Sequence, residues 1–273
     1  MTLCIAASGQ VRNSSRIVIS TDWRVENSSF GAEIQDKLYW VGDDWAILIA
    51  GTITRAIELV NVYSIYFRDL KEKKIALTNT NIVDHVKRPT IIQKRKIADE
   101  YIGALLGITY KEFLATGKER LPEERFNELV TNIEELELDC QLILCSFVDG
   151  DSQIFKVDSD CSVEVCEHFA AIGSGSDIAE SVLFQREHEG DLPLSHALYD
   201  VYEAARLGSK APGVGASHAI SVLIPPKRNG QMSYSRVSDK GYTFLAKQFK
   251  KYGPKEFYRL GLPDYALEPP RDK

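Results

Sequence analysis

Short apolar runs, rich in β-branched residues and closed by Gly, Asn, Asp or Ser, fill the first fifty positions. Residues 3–7 are apolar, Ser8-Gly9-Gln10 and Arg12 to Ser15 supply turn chemistry, and 16–21 is β-branched, so the two runs predict a hairpin. Asn27-Ser28-Ser29 and Gly31 mark a loop. Residues 37–41, the turn Gly42-Asp43-Asp44 and residues 45–50 predict a second hairpin, and at Gly51 the period changes. Ala56, Leu59, Val60, Tyr63, Ile65 and Phe67 recur at near-helical spacing up to Leu70, and Thr52 or Thr54 can cap that helix. Residues 71–89 read as polar and irregular. A second helix is expected over 91–115, with Ile92, Ile97, Tyr101, Leu105, Ile108 and Phe113 on one face. The charged stretch 117–135, with Pro122, reads as a surface excursion carrying at most a short helix.

Strand patterns return at 139–148 and 153–157 around the turn Asp149-Gly150-Asp151, then at 161–165 and 169–172. Gly173-Ser174-Gly175-Ser176 breaks the chain, and helices are expected over 177–187 and 194–207. A Pro/Gly loop at 211–215 leads to a core strand at 219–224. Strands, two helices, strands, two helices and a strand predict an α+β fold: a four-layer αββα sandwich of two stacked antiparallel sheets, with helices on both outer faces. Pro225-Pro226 closes this body, giving a domain over 1–226. Residues 227–273 are expected to form an extension packed on it, with a strand at 232–237 and a helix at 242–251.

Composition narrows the function. A net charge of −6 with only short basic clusters, at Lys71 to Lys74 and Lys94 to Lys96, argues against a nucleic-acid partner. Those clusters read as solvated faces. No run approaches the roughly 20 apolar residues of a membrane span, and the first residues lack a secretory pattern, so the cytoplasm is the expected location. Cys4, Cys140, Cys145, Cys161 and Cys166 are odd in number, form no C-x-x-C pair and read as reduced thiols. No H-E-x-x-H motif joins the histidines, and no metal or organic cofactor is implied. Trp23, Trp40 and Trp45 read as core or subunit contacts.

The candidate chemistry lies in residues 2–51. Thr2 follows Met1; once Met1 is removed, Thr2 carries a free amine beside its hydroxyl, a nucleophile and a base in one residue. Asp22 ends the apolar run 17–21, Lys37 opens 38–41, and Gly51 ends 45–50. Taken alone, Asp22 and Lys37 also suit a half-buried ion pair at strand ends, Gly51 a backbone turn, and Ser176 a helix cap.

Five features in order resemble the proteasome-like N-terminal nucleophile (Ntn) hydrolases, which include proteasome β subunits and bacterial proteasome-like peptidases. They are Thr2, the strand ending Asp22-Trp23-Arg24, Lys37-Leu38 about fifteen residues on, Ala50-Gly51 before the first helix, and Gly173-Ser174-Gly175-Ser176 before a later one. The resemblance spans roughly residues 2–224. It implies Thr2 as nucleophile and, through its amine, general base; Lys37 beside the hydroxyl; Asp22 orienting Lys37; Gly51 N–H as oxyanion donor; and Ser174 near the Thr2 amine. It also implies a peptide or unfolded-protein substrate and a homo-oligomeric ring, with any unfoldase partner unspecified. The chain departs from the family at Pro212-Gly213-Val214-Gly215-Ala216-Ser217, where an Asp-x-x-Ser-Gly-Gly motif is expected. Three readings follow: a threonine hydrolase acting on peptides, a catalytically inactive subunit with an assembly or binding role, or a small-molecule amidase on the same fold.

Overall fold

The computed structural model describes residues 2–22, 24–27, 30–33, 37–226 and 231–253. Met1, Trp23, the Ser28-Ser29 part of the expected loop, and the side chain of Arg24 lie outside the described residues. The chain divides into two units, Met1–Val237 and Ser238–Lys273. In the second, α7 (Asp239–Tyr252) starts at Ser238, whose hydroxyl accepts the Gly241 N–H.

In the first unit, β1 (Cys4–Val11), β2 (Ser14–Asp22), β10 (Phe169–Ile172), β11 (His218–Ile224) and β12 (Ser233–Arg236) form one antiparallel sheet, ordered β10-β1-β2-β11-β12. A second antiparallel sheet is ordered β5-β6-β7-β8-β9. It contains β5 (Leu38–Val41), β6 (Trp45–Gly51), β7 (Cys140–Val148), β8 (Asp151–Val157) and β9 (Val163–Cys166). The sheets stack through the alternate residues that strand geometry turns inward. Ala6, Ile17 and Ile19 of the first meet Ala46, Leu48, Ile143 and Ile154 of the second. The other face of β6 and β7, including Ile47, Ile49, Leu142 and Leu144, packs on Ala56, Leu59 and Tyr63 of α1 (Ile53–Glu72). Trp45 is buried and stacks on Phe67 at 4.4 Å, whereas Trp40 is 39% exposed and leans on Tyr234. On the outer face of the first sheet, α5 (Ser176–Gln185) lies on β10 and α6 (Leu194–Gly208) on β1 and β2. The expected αββα sandwich is therefore the architecture.

Several parts differ from expectation. The segment 71–89 is not irregular throughout, because α2 runs Ile82–Leu106. The buried residues of its first half, Ile82, His85, Val86, Pro89, Thr90 and Gln93, keep helical spacing, but three of these six are polar. Burial of the polar ones is supported by bonds such as Tyr63 Oη to the Val86 carbonyl and to Thr90 Oγ1, both 2.8 Å. The expected helix over 91–115 is two helices. α2 ends at Gly107, in the left-handed region at φ 69°, and α3 (Tyr110–Arg120) begins with a capping box between Thr109 and Glu112. The stretch read as a surface excursion holds α4 (Glu123–Glu134), whose Leu129 and Ile133 close a small core with Ala98, Ile102 and Phe113. β3 (Arg24–Asn27) and β4 (Phe30–Glu33) pair as an antiparallel two-stranded sheet. The cap of α5 is Gly175, with no side-chain bond, rather than Ser176. Among the described residues no helix is long and apolar enough to cross a membrane.

Candidate active site

The end of β2 meets the start of β1 because the hairpin register pairs Cys4 with Thr21. Asp22 is thereby set beside Thr2, and its N–H donates to the Leu3 carbonyl at 3.1 Å. The Asp22 carboxylate is fully buried and accepts four donors. Its Oδ1 accepts from Thr2 Oγ1 at 2.9 Å, Lys37 Nζ at 2.5 Å and Leu3 N–H at 3.2 Å, and its Oδ2 accepts from Gly215 N–H at 3.0 Å. Thr2 and Lys37 are themselves only 5% and 4% exposed. A buried carboxylate is tolerated only when paired and hydrogen-bonded, and here both conditions hold. Because the hydroxyl and the ammonium reach the same oxygen, the ammonium lies next to the hydroxyl. There it favours negative charge on Oγ1.

Gly51 stands at the same end of the sandwich. Ile49 N–H donates to the Lys37 carbonyl at 3.1 Å, and Cys4 Sγ donates to the Ile49 carbonyl at 3.4 Å. Gly51 has φ 91°, and a Cβ there would lie 2.7 Å from the Asp139 carbonyl oxygen, so the position requires glycine. Its strand partner Cys140 is no rival nucleophile: burial pushes its thiol up to about 12.

Gly173 and Ser174 form the loop over Thr2. Ser174 Oγ donates to the Thr2 carbonyl at 3.4 Å. Gly173 has φ 91° and approaches so closely that a Cβ would stand 2.3 Å from the Thr2 carbonyl oxygen. Gln141 holds this loop: its Oε1 accepts the Gly173 N–H at 3.0 Å while its Nε2 donates to Asp158 at 2.6 Å. Gly173→Ala is expected to incur ~1–2 kcal/mol of backbone strain and to displace Thr2. Any reaction at the Thr2 hydroxyl should slow by ~10² or more, since misplacing a reacting atom by about 1 Å has that effect. Gly42→Ala is the control, with φ 62° but no atom within 4 Å of the added Cβ. Thermal unfolding should fall less in Gly42→Ala, which adds backbone strain only, than in Gly173→Ala, which adds the overlap with Thr2, and only Gly173→Ala should lose rate.

Thr2, Asp22 and Lys37 are thus joined by direct hydrogen bonds, Ser174 touches Thr2, and Gly51 sits on the adjoining strand end. Gly215 and Gln141 were not among the expected residues. Gly215 acts through a backbone N–H and has no side-chain signature. It also shows how the departing stretch 212–217 still serves the site, by main chain in place of side chain. Gln141, one residue into β7, carries no motif of its own. A cavity of about 560 Å³ lined by Trp45, Phe67 and Lys71 lies at the opposite end of β6 and does not belong to this cluster.

No family model matches the chain, and no curated protein matches it. Among solved structures it is similar to the Gly-1 mutant of Anbu from Hyphomicrobium sp. strain MC1. The TM-score is 0.60 at 13% identity, covering 97% of this chain and 100% of that one. The likeness is one of fold: this chain shares that protein's sandwich of two antiparallel sheets between helix layers.

Proposed function

We propose that the chain is an N-terminal threonine hydrolase that cleaves amide bonds in peptides or unfolded proteins through an acyl-enzyme. The observation that carries this reading is the single oxygen, Asp22 Oδ1, that gathers the Thr2 hydroxyl and the Lys37 ammonium in a closed site. With Met1 removed, the Thr2 α-amine, whose reference pKa is about 7.7–8.0, has a useful neutral fraction near pH 7. It takes the Oγ1 proton as Oγ1 attacks the scissile carbonyl. The oxyanion is met by the Gly51 N–H. Collapse breaks the C–N bond, and the departing amine takes the proton from the Thr2 ammonium. Water, deprotonated by the same amine, then cleaves the ester and restores Thr2. A homo-oligomeric ring in the cytoplasm suits this reading, because a closed chamber would confine such a site to unfolded chains.

The test is intact mass and N-terminal sequencing of protein from its own host, followed by an epoxyketone, which needs both hydroxyl and amine. A chain beginning at free Thr2 that gains one inhibitor mass supports the reading. A chain that retains Met1 throughout, or carries an acetylated Thr2, sinks it. The second reading, an inactive subunit used for assembly, is favoured by Pro212 and Gly215 standing where the family motif has Asp and Ser. A free Thr2 that takes no epoxyketone would support that second reading.

A further inference from the structure

His218 opens β11 and is paired in register with Asp22 across the β11–β2 ladder. Residues directly opposite in an antiparallel pair share a face, with Cβ atoms about 4.5–5.5 Å apart. The imidazole is therefore next to the carboxylate that organises Thr2 and Lys37. Both its ring nitrogens are closed off from solvent, although the residue as a whole is half-buried. The charged groups around it are Asp22 at the end of β2, Lys37 before β5 and Arg206 on α6, and the Gly215 backbone lies beside it. Gly215 donates its N–H to Asp22 Oδ2, so the backbone beside the imidazole also holds the carboxylate.

We propose that His218 is a positioning residue for the Asp22–Lys37–Thr2 cluster, supporting it as a neutral imidazole and disrupting it on protonation. The proposal rests on the threonine-hydrolase reading for its catalytic consequence, but the coupling itself does not. In its neutral form the ring fills the face beside Asp22 without competing for the carboxylate. As imidazolium it becomes a second cation beside Lys37. It draws Asp22 toward itself and weakens the bonds to Lys37 Nζ and Thr2 Oγ1. Burial, the largest influence, lowers the pKa of His218 below the ordinary value of 6.5; Asp22 and Gly215 raise it, and Lys37 and Arg206 lower it further. The neutral form is therefore the one present at neutral pH, and the disruption comes as pH falls below the usual histidine range.

The experiment has two arms. In the first, the carboxyl ¹³C shift of Asp22 and the ring proton of His218 are followed against pH in the full chain. The expected result is an inflection of the Asp22 signal that coincides with the His218 titration and vanishes in His218→Asn. An Asp22 signal that ignores the His218 titration would overturn the proposal, whether or not the chain hydrolyses amides. In the second arm, hydrolysis is measured against pH, each profile scaled to its own maximum. The acid limb should fall with two protons in the unaltered chain, His218 and the Thr2 amine, and with one in His218→Asn. An identical limb in both would also overturn it. A chain with no hydrolysis at any pH but with a coupled Asp22 signal would defeat the hydrolase reading and leave the coupling standing.

Discussion

Thr2→Ala should abolish amide hydrolysis, by at least ~10³-fold, while leaving a folded protein. The residue supplies the attacking oxygen in the proposed mechanism, and what remains without a nucleophile is the smaller contribution of substrate binding and oxyanion stabilisation. The structural loss is limited. Thr2 Oγ1 gives one of the four hydrogen bonds to Asp22, and the other three, from Lys37, Leu3 and Gly215, do not involve its side chain. One bond to a charged acceptor contributes about 1.5–3 kcal/mol. Thermal unfolding should therefore fall by several degrees rather than collapse, and epoxyketone labelling should disappear. Thr2→Ser keeps both the hydroxyl and the amine and should still form the adduct. If Thr2→Ala hydrolysed peptides at the unaltered rate, the nucleophile would lie elsewhere.

The elements legible in the sequence were those whose pattern matches a single period. β1, β2, β6, β7 and β8 are buried runs punctuated by Gly, Asn and Asp, and the order of strands and helix pairs was enough to predict the sandwich. Thr2, Asp22 and Lys37 were legible for a related reason. Each sits at the boundary of such a run, and a residue at a strand end is placed by the strand. The start of α2 was hidden because its buried face uses His85, Pro89, Thr90 and Gln93, which a count of apolar residues passes over. The break between α2 and α3 was in principle readable. Gly107 followed by Thr109 and Glu112 is a helix stop and a capping box, yet the apolar residues continue at helical spacing across it. Gly215 was not readable, since any residue but proline carries the N–H it uses.

The same distinction bears on the departure at residues 212–217. A missing Asp and Ser look like a lost catalytic motif when only side chains are read. In the structure the loop after α6 still delivers a donor to Asp22, from the Gly215 backbone. The stretch keeps a contact with the site although its side chains differ. The missing motif is therefore weaker evidence for an inactive subunit than the sequence suggested.

Asp22→Ala should produce the largest loss of stability of any single substitution in the cluster. It removes the acceptor for four donors at once and takes from Lys37, 4% exposed, the carboxylate bonded to its ammonium. Breaking a buried ion pair from one side costs about 3–5 kcal/mol, most of it the cost of the stranded charge. At roughly 2–4 °C per kcal/mol for a unit of this size, the thermal midpoint should drop by about 6–20 °C. Asp22→Ala combined with Lys37→Met removes the buried ammonium as well and should recover a large part of the midpoint, while hydrolysis stays lost in both variants. Stability and activity then separate. The double variant would be a folded protein whose Thr2 hydroxyl has neither the ammonium beside it nor the carboxylate that places it. If the double variant were instead no more stable than Asp22→Ala alone, the four hydrogen bonds rather than the charge would be what holds this end of the two sheets together.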